Sequence, residues 1–64
     1  MLPHQQRVID EKEELENKRS KLSDFFQNDL FEVLDQAEKD RLKTQYSVMG
    51  LYSAILQQRI NAFK

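Results

Sequence analysis

Apolar side chains recur every seven residues in the first third of the chain, at Val8, Leu15 and Leu22. A seven-residue repeat keeps apolar positions on one side of an α-helix. The positions that would complete a coiled-coil seam are Glu11 and Lys18, so the apolar stripe is narrow. The pattern predicts a first helix over about residues 3–26, with a thin contact line and a solvated, charged surface elsewhere that includes the pair Glu16 and Arg19.

The second half of the chain has a wider apolar arc. Two neighbouring series repeat every seven residues: Leu42, Met49, Leu56 and Phe63, and beside them Val48, Ile55 and Ala62. Leu51 and Tyr52 widen the arc on one side, and Tyr46 and Ile60 widen it on the other. The arc predicts a second helix over about residues 36–63, with more apolar surface than the first helix can cover.

Turn-forming residues separate the two helices. Asn28 and Asp29 favour turns over helix interiors, and Asp29 and Asp35 each precede a Glu by three residues, as in a capping box. These signals predict a short turn helix over about residues 30–34 and the start of the second helix after Asp35. The apolar residues of this segment are expected to plug the bend: Leu30, Phe31, Val33 and Leu34.

The sequence therefore predicts an all-α fold, a single domain of residues 1–64 that forms an antiparallel helical hairpin with a short helical turn at the bend. Apolar burial is worth roughly 25 cal/mol per Å², so the uncovered arc favours dimerisation into a four-helix bundle or a higher oligomer. The residues expected in the core or the oligomer interface are Val8, Leu15, Leu22, Leu42, Met49, Tyr52, Ile55, Leu56, Ile60 and Phe63. Gly50 marks either a close helix contact or a tolerated glycine on a solvent face.

The composition argues against catalysis. The chain contains no cysteine and one histidine, His4, so it lacks the residues of a nucleophilic triad and of a zinc site. It also lacks a glycine-rich phosphate loop, and we expect no enzyme activity, no metal and no cofactor.

No stretch is apolar enough to span a bilayer, and the N-terminus has no signal-peptide core, so we expect a cytoplasmic protein with no membrane partner. The formal net charge of −1 and the mixing of Lys39, Arg41 and Lys43 with Glu38 and Asp40 argue against nucleic-acid binding.

Positions spread along both helices support a family resemblance. They are His4, Gln5, Gln6, Arg7, Val8, Glu11, Glu14, Leu15, Lys18, Leu22, Phe26, Phe31, Leu34, Leu42, Gln45, Met49, Tyr52, Leu56, Arg59, Ile60 and Phe63. Through them the chain resembles the small helical accessory proteins of tailed phages and prophages, the crAss-phage-related small proteins. The resemblance implies a phage or prophage product in the cytoplasm of a host bacterium. It implies no reaction and no functional residues.

Three functions remain open from the sequence. The leading hypothesis is a noncatalytic accessory protein that forms a homo-oligomer and binds an unidentified host or phage protein. The alternative is an oligomeric sponge for a small nucleotide signal, with phosphate and base contacts from Arg7, Tyr46, Tyr52 and Arg59. The weakest is a DNA-binding regulator that presents Lys39, Arg41 and Lys43.

Overall fold

The computed structural model describes residues 1–64. It contains three helices, α1 (Pro3–Phe25), α2 (Asp29–Glu32) and α3 (Gln36–Asn61), and no strand. α1 packs against α3 and α2 lies at the bend, giving a rod of 47 × 15 × 13 Å. The predicted all-α hairpin is confirmed, whereas its oligomerisation stays a prediction.

The helix ends follow local hydrogen bonding. The Asp35 carboxylate accepts the Glu38 N–H at 2.8 Å, which confirms the predicted start of α3. At α2 the cap is Asn28, whose Oδ1 accepts the Leu30 N–H at 2.8 Å, so the prediction that Asp29 is the cap was wrong. α2 therefore begins and ends earlier than expected, and α1 and α3 stop at Phe25 and Asn61, slightly before their predicted ends.

Phe31 is the one buried side chain at the bend, and of the other three predicted residues only Leu34 is half-buried. Phe31 is 4% exposed, whereas Leu30 is 64% and Val33 is 78% exposed. The Phe31 ring packs edge-on against Phe25 and Phe26, with ring centroids 5.9 and 5.2 Å apart. The four-residue α2 presents only one face to the hairpin, which leaves Leu30, and Val33 just after the helix, in solvent.

The contact between α1 and α3 follows a heptad on both helices, and we call it the seam. On α3 and just after it, the seam positions are buried or half-buried: Leu42, Tyr46, Met49, Ser53, Leu56, Ile60 and Phe63. On α1 and at its C-cap, the seam positions are Val8, Lys12, Leu15, Arg19, Leu22 and Phe26. The expected seam position Lys18 is exposed, and its neighbour Arg19 is half-buried in its place.

Four apolar side chains of α3 point away from the seam, and we call them the outer face: Val48, Leu51, Tyr52 and Ile55. They follow one another at helical spacing, so they form a continuous strip. The residues expected in the core or interface thus divide into two groups. Tyr52 and Ile55 lie on the outer face, and the other eight lie in the seam.

Candidate functional site

Arg19 occupies an unusual place between the helices. Its guanidinium carbon lies 4.0 Å from the centroid of the Tyr46 ring, and its Nε donates to the Tyr46 carbonyl oxygen at 3.3 Å. A Cβ added at Gly50 would lie 2.7 Å from Arg19 Nη2. Gly50 therefore marks a close contact, one of the two roles expected for it, and the group that approaches is a side chain. We call Arg19, Tyr46 and Gly50 the arginine cradle.

No carboxylate pairs with Arg19. The spacing of Glu16 and Arg19 favours an ion pair on α1, but Glu16 accepts a hydrogen bond from the Ser53 hydroxyl across the seam instead. Arginine has five N–H donors, and the Nε donor is the one that has a protein partner here. No buried side-chain nitrogen lacks a hydrogen-bond partner, so the two terminal nitrogens of Arg19, which have no protein acceptor, are not fully buried.

A row of aromatic rings continues from the cradle to the bend. The Tyr46 and Phe26 ring centroids are 5.5 Å apart, and Phe31 packs beyond Phe26. The Lys39 and Lys43 ammonium groups lie 5.7 and 5.9 Å from the Phe31 centroid. Lys39 also pairs with Glu32 at 3.6 Å, whereas Lys43 has no acidic partner. Arg19, over Tyr46, and Lys43, near Phe31 at the bend, are therefore both without an ion pair.

The residues expected to bind a ligand fall in three places. Tyr46 belongs to the cradle, whereas Tyr52, six residues later, is turned about 120° from it around the helix axis. Arg59 follows Tyr52 by seven residues, so both lie on nearly the same side of α3, and both are exposed. Arg7 is exposed near the start of α1. One hairpin does not bring these four side chains together, and their binding role stays a prediction.

The three basic residues considered for DNA binding do not form a free basic face. Arg41 donates to the Glu38 carboxylate at 2.9 Å, and Lys39 is engaged by Glu32. Lys43 is the one of the three without an ion pair. The arrangement offers few of the multiple phosphate contacts on which DNA binding depends.

The hairpin has one surface concavity, of about 290 Å³, lined by Asp10, Glu13, Glu14 and Asn17. Its three carboxylates would repel a phosphate group. The side chains gather no cluster of three or more His, Asp or Glu residues suited to a metal ion. No helix has the length and apolarity needed to cross a membrane.

Sequence reasoning missed Arg19 because a charged residue was assigned to the solvated side of α1. A signal was present in the spacing. Arg19 lies four residues after Leu15 and three before Leu22, which is the alternation of a heptad seam. An arginine at such a position, with a glycine on the facing helix, indicates a guanidinium packed between two helices.

Comparison with known families gives one match, and it covers nearly the whole chain. A model of the family described as Sequestin matches residues 2–62. No curated protein and no solved structure matches the chain. The match does not show the relation to crAss-phage proteins that the resemblance implied. The chain belongs to the Sequestin family.

Proposed function

We propose that this protein is a noncatalytic sponge: hairpins pair through the outer face of α3, and the oligomer sequesters a small nucleotide. The observation that carries the proposal is the placement of Tyr52 and Arg59. Both are exposed on the side of α3 that also carries the apolar strip. An aromatic ring and a guanidinium beside a pairing surface are suited to a base and a phosphate.

The family name favours the nucleotide sponge over the protein-binding accessory role. Sequestin denotes sequestration, which fits a ligand-binding protein more directly than an adaptor. The name specifies no ligand. The nucleotide class is inferred from the chemistry of Tyr52 and Arg59, since the other two predicted contacts, Arg7 and Tyr46, lie elsewhere on the hairpin.

The outer face supports pairing between copies. Leu51 is 70% exposed and Val48 56% exposed, so a single hairpin leaves a strip of aliphatic surface in water. Burying such a side chain stabilises an assembly by roughly 1.5–3 kcal/mol. Because the concavity of the single chain is acidic, an interface between copies is the more suitable place for an anionic ligand.

The direct test has two readouts. First, purified protein is heat-denatured, and released nucleotides are identified by mass spectrometry. Second, thermal unfolding is followed with a panel of linear and cyclic mono- and dinucleotides. A ligand at 100 times its dissociation constant adds about 2.7 kcal/mol of stability. No released nucleotide and no shift across the panel would contradict the proposal.

Variants then locate the site. Tyr52→Ala and Arg59→Gln are expected to lower the affinity for the nucleotide. Arg41→Gln, which removes an exposed cation elsewhere on α3, is expected to leave the affinity unchanged. Equal losses from all three variants would indicate a nonspecific charge effect and would count against the assigned face.

A second candidate function is binding of a host or phage protein, and the exposed strip of the outer face favours it. In this case the strip would contact a foreign helix, in the cytoplasm of an infected bacterium. Sedimentation separates the two functions. The protein-binding function would be supported by three results together. The chain stays monomeric at micromolar concentration, it binds no nucleotide, and it recovers one partner from infected cells in a way that depends on Leu51.

A further inference from the structure

We propose that the arginine cradle is an anion-binding site in which Arg19 contacts a phosphate group. The Arg19 guanidinium is fixed at one side by the Tyr46 carbonyl and lies over the Tyr46 ring, in the space that Gly50 leaves. Its terminal nitrogens point to no protein acceptor. This inference goes beyond the proposed function, since it concerns another part of the hairpin and is complete within one chain.

The geometry lowers the cost of binding. A free arginine side chain loses about 2 kcal/mol of rotamer freedom when it is immobilised. In the cradle much of that loss has already occurred, because stacking on Tyr46 and the Nε hydrogen bond hold the planar group in place. The remaining donors form the fork that matches two phosphate oxygens.

The charges around the cradle favour an anion of the phosphate class. Lys43 lies one turn before Tyr46 on α3 and has no acidic partner. Glu16, one turn before Arg19 on α1, holds its carboxylate on the Ser53 hydroxyl. A guanidinium fork that has no carboxylate partner suits the oxygens of a phosphate group.

The cradle and the outer face are on different sides of α3. Ile55 follows Tyr46 by nine residues, which turns it about 180° around the helix axis. Pairing of two hairpins through the outer face would therefore leave the cradle open. The two sites can be tested separately in the same oligomer.

The test uses the full chain and inorganic pyrophosphate, with binding measured by calorimetry and by the NMR signal of the Arg19 Nε–H. We expect saturable binding that moves this signal. Arg19→Lys keeps the charge and loses the fork, and is expected to weaken binding about tenfold, the value of one charge-assisted hydrogen bond. Gly50→Ala displaces Arg19 without changing charge and is expected to weaken binding as well.

The matched control is Lys18→Gln, which removes an exposed cation next to Arg19 in sequence and is expected to change the affinity less than twofold. Pyrophosphate that leaves the wild-type Nε–H signal unmoved overturns the proposal, even if a variant fails to fold. Equal affinity of the wild type and Arg19→Lys also overturns it. Nucleotide binding that depends on Arg59 and not on Arg19 would leave the proposed function intact and refute the cradle alone.

Discussion

The two faces of α3 contain similar side chains in different surroundings. Leu56 lies in the seam and is fully buried, whereas Leu51, five residues earlier on the same helix, is 70% exposed on the outer face. The difference arises from α1, whose apolar stripe is narrow and covers only one side of α3. A two-helix hairpin of this length therefore has one covered face and one uncovered face, and these should respond differently to substitution.

The first prediction tests the outer face. Leu51→Glu removes an apolar contact from each of two copies and is expected to cost the dimer about 3–6 kcal/mol, twice the value of one buried leucine. The helical circular dichroism should be retained, since Leu51 does not contact α1. Sedimentation velocity should show oligomers for the wild type and monomers for the variant.

Two comparisons sharpen this result. Glu13→Lys, on the exposed side of α1, is expected to leave the oligomer unchanged. Met49→Glu is expected to unfold the hairpin because Met49 lies in the seam, so it would not separate association from folding. A wild type that sediments as a stable monomer would refute pairing through the outer face.

The second prediction tests the seam. Leu56→Ala is expected to lower the free energy of unfolding by about 2–5 kcal/mol, which is a large part of the stability of a small domain. Ile55→Ala, one residue away and half exposed, should cost less than about 1 kcal/mol once association is removed. Both are measured by urea unfolding in the Leu51→Glu background. Equal losses would mean that the two faces are not distinguished by burial.

The sequence predicts the helices and the hairpin well because each depends on local signals. The Asp35 cap, the seven-residue repeats and the scarcity of glycine and proline act within one helix. The division of α3 into two faces is not local. Val48 and Met49 are adjacent apolar residues, and only the position of α1 decides which one is covered.

The cradle was harder to predict for a related reason. Tyr46 was identified as a candidate and Gly50 as either a close contact or a tolerated glycine, but Arg19 was assigned to the solvated surface. An arginine can bury its stem and stack on a ring while its terminal nitrogens stay wet, so charge alone does not place it outside. The register between α1 and α3, which brings Arg19 to Gly50, is fixed by contacts between the helices.

The third prediction concerns the polar pair in the seam. Ser53 is 6% exposed, and its hydroxyl donates to the Glu16 carboxylate. Ser53→Ala is expected to cost about 1 kcal/mol, less than a fully buried bond to a charge because water can reach Glu16. Ser47→Ala is the matched control: its exposed hydroxyl donates to the Lys43 carbonyl, and its loss should be neutral or slightly stabilising. Thermal unfolding in the Leu51→Glu background measures both.

The last prediction is the smallest in the wild-type chain and depends on Arg19. Gly50→Ala gains about 1 kcal/mol of helix propensity. It also forces Arg19 away from Tyr46, which forfeits about 0.5–1 kcal/mol of cation–π attraction and a long hydrogen bond of 3.3 Å, worth only about 0.5 kcal/mol. The two effects nearly cancel, so the free energy of unfolding should change by less than about 0.5 kcal/mol.

In an Arg19→Ala background there is no guanidinium to displace from Tyr46. Gly50→Ala should then stabilise the hairpin by the full helix-propensity gain of about 1 kcal/mol. The difference between the two backgrounds is the coupling energy of a double-mutant cycle, here between Gly50 and Arg19. Equal effects in both backgrounds would show that Gly50 does not hold Arg19 in place. A large coupling energy would mean that Gly50 lowers the stability of α3 but leaves room for the Arg19 guanidinium, which occupies the position that a Cβ would take.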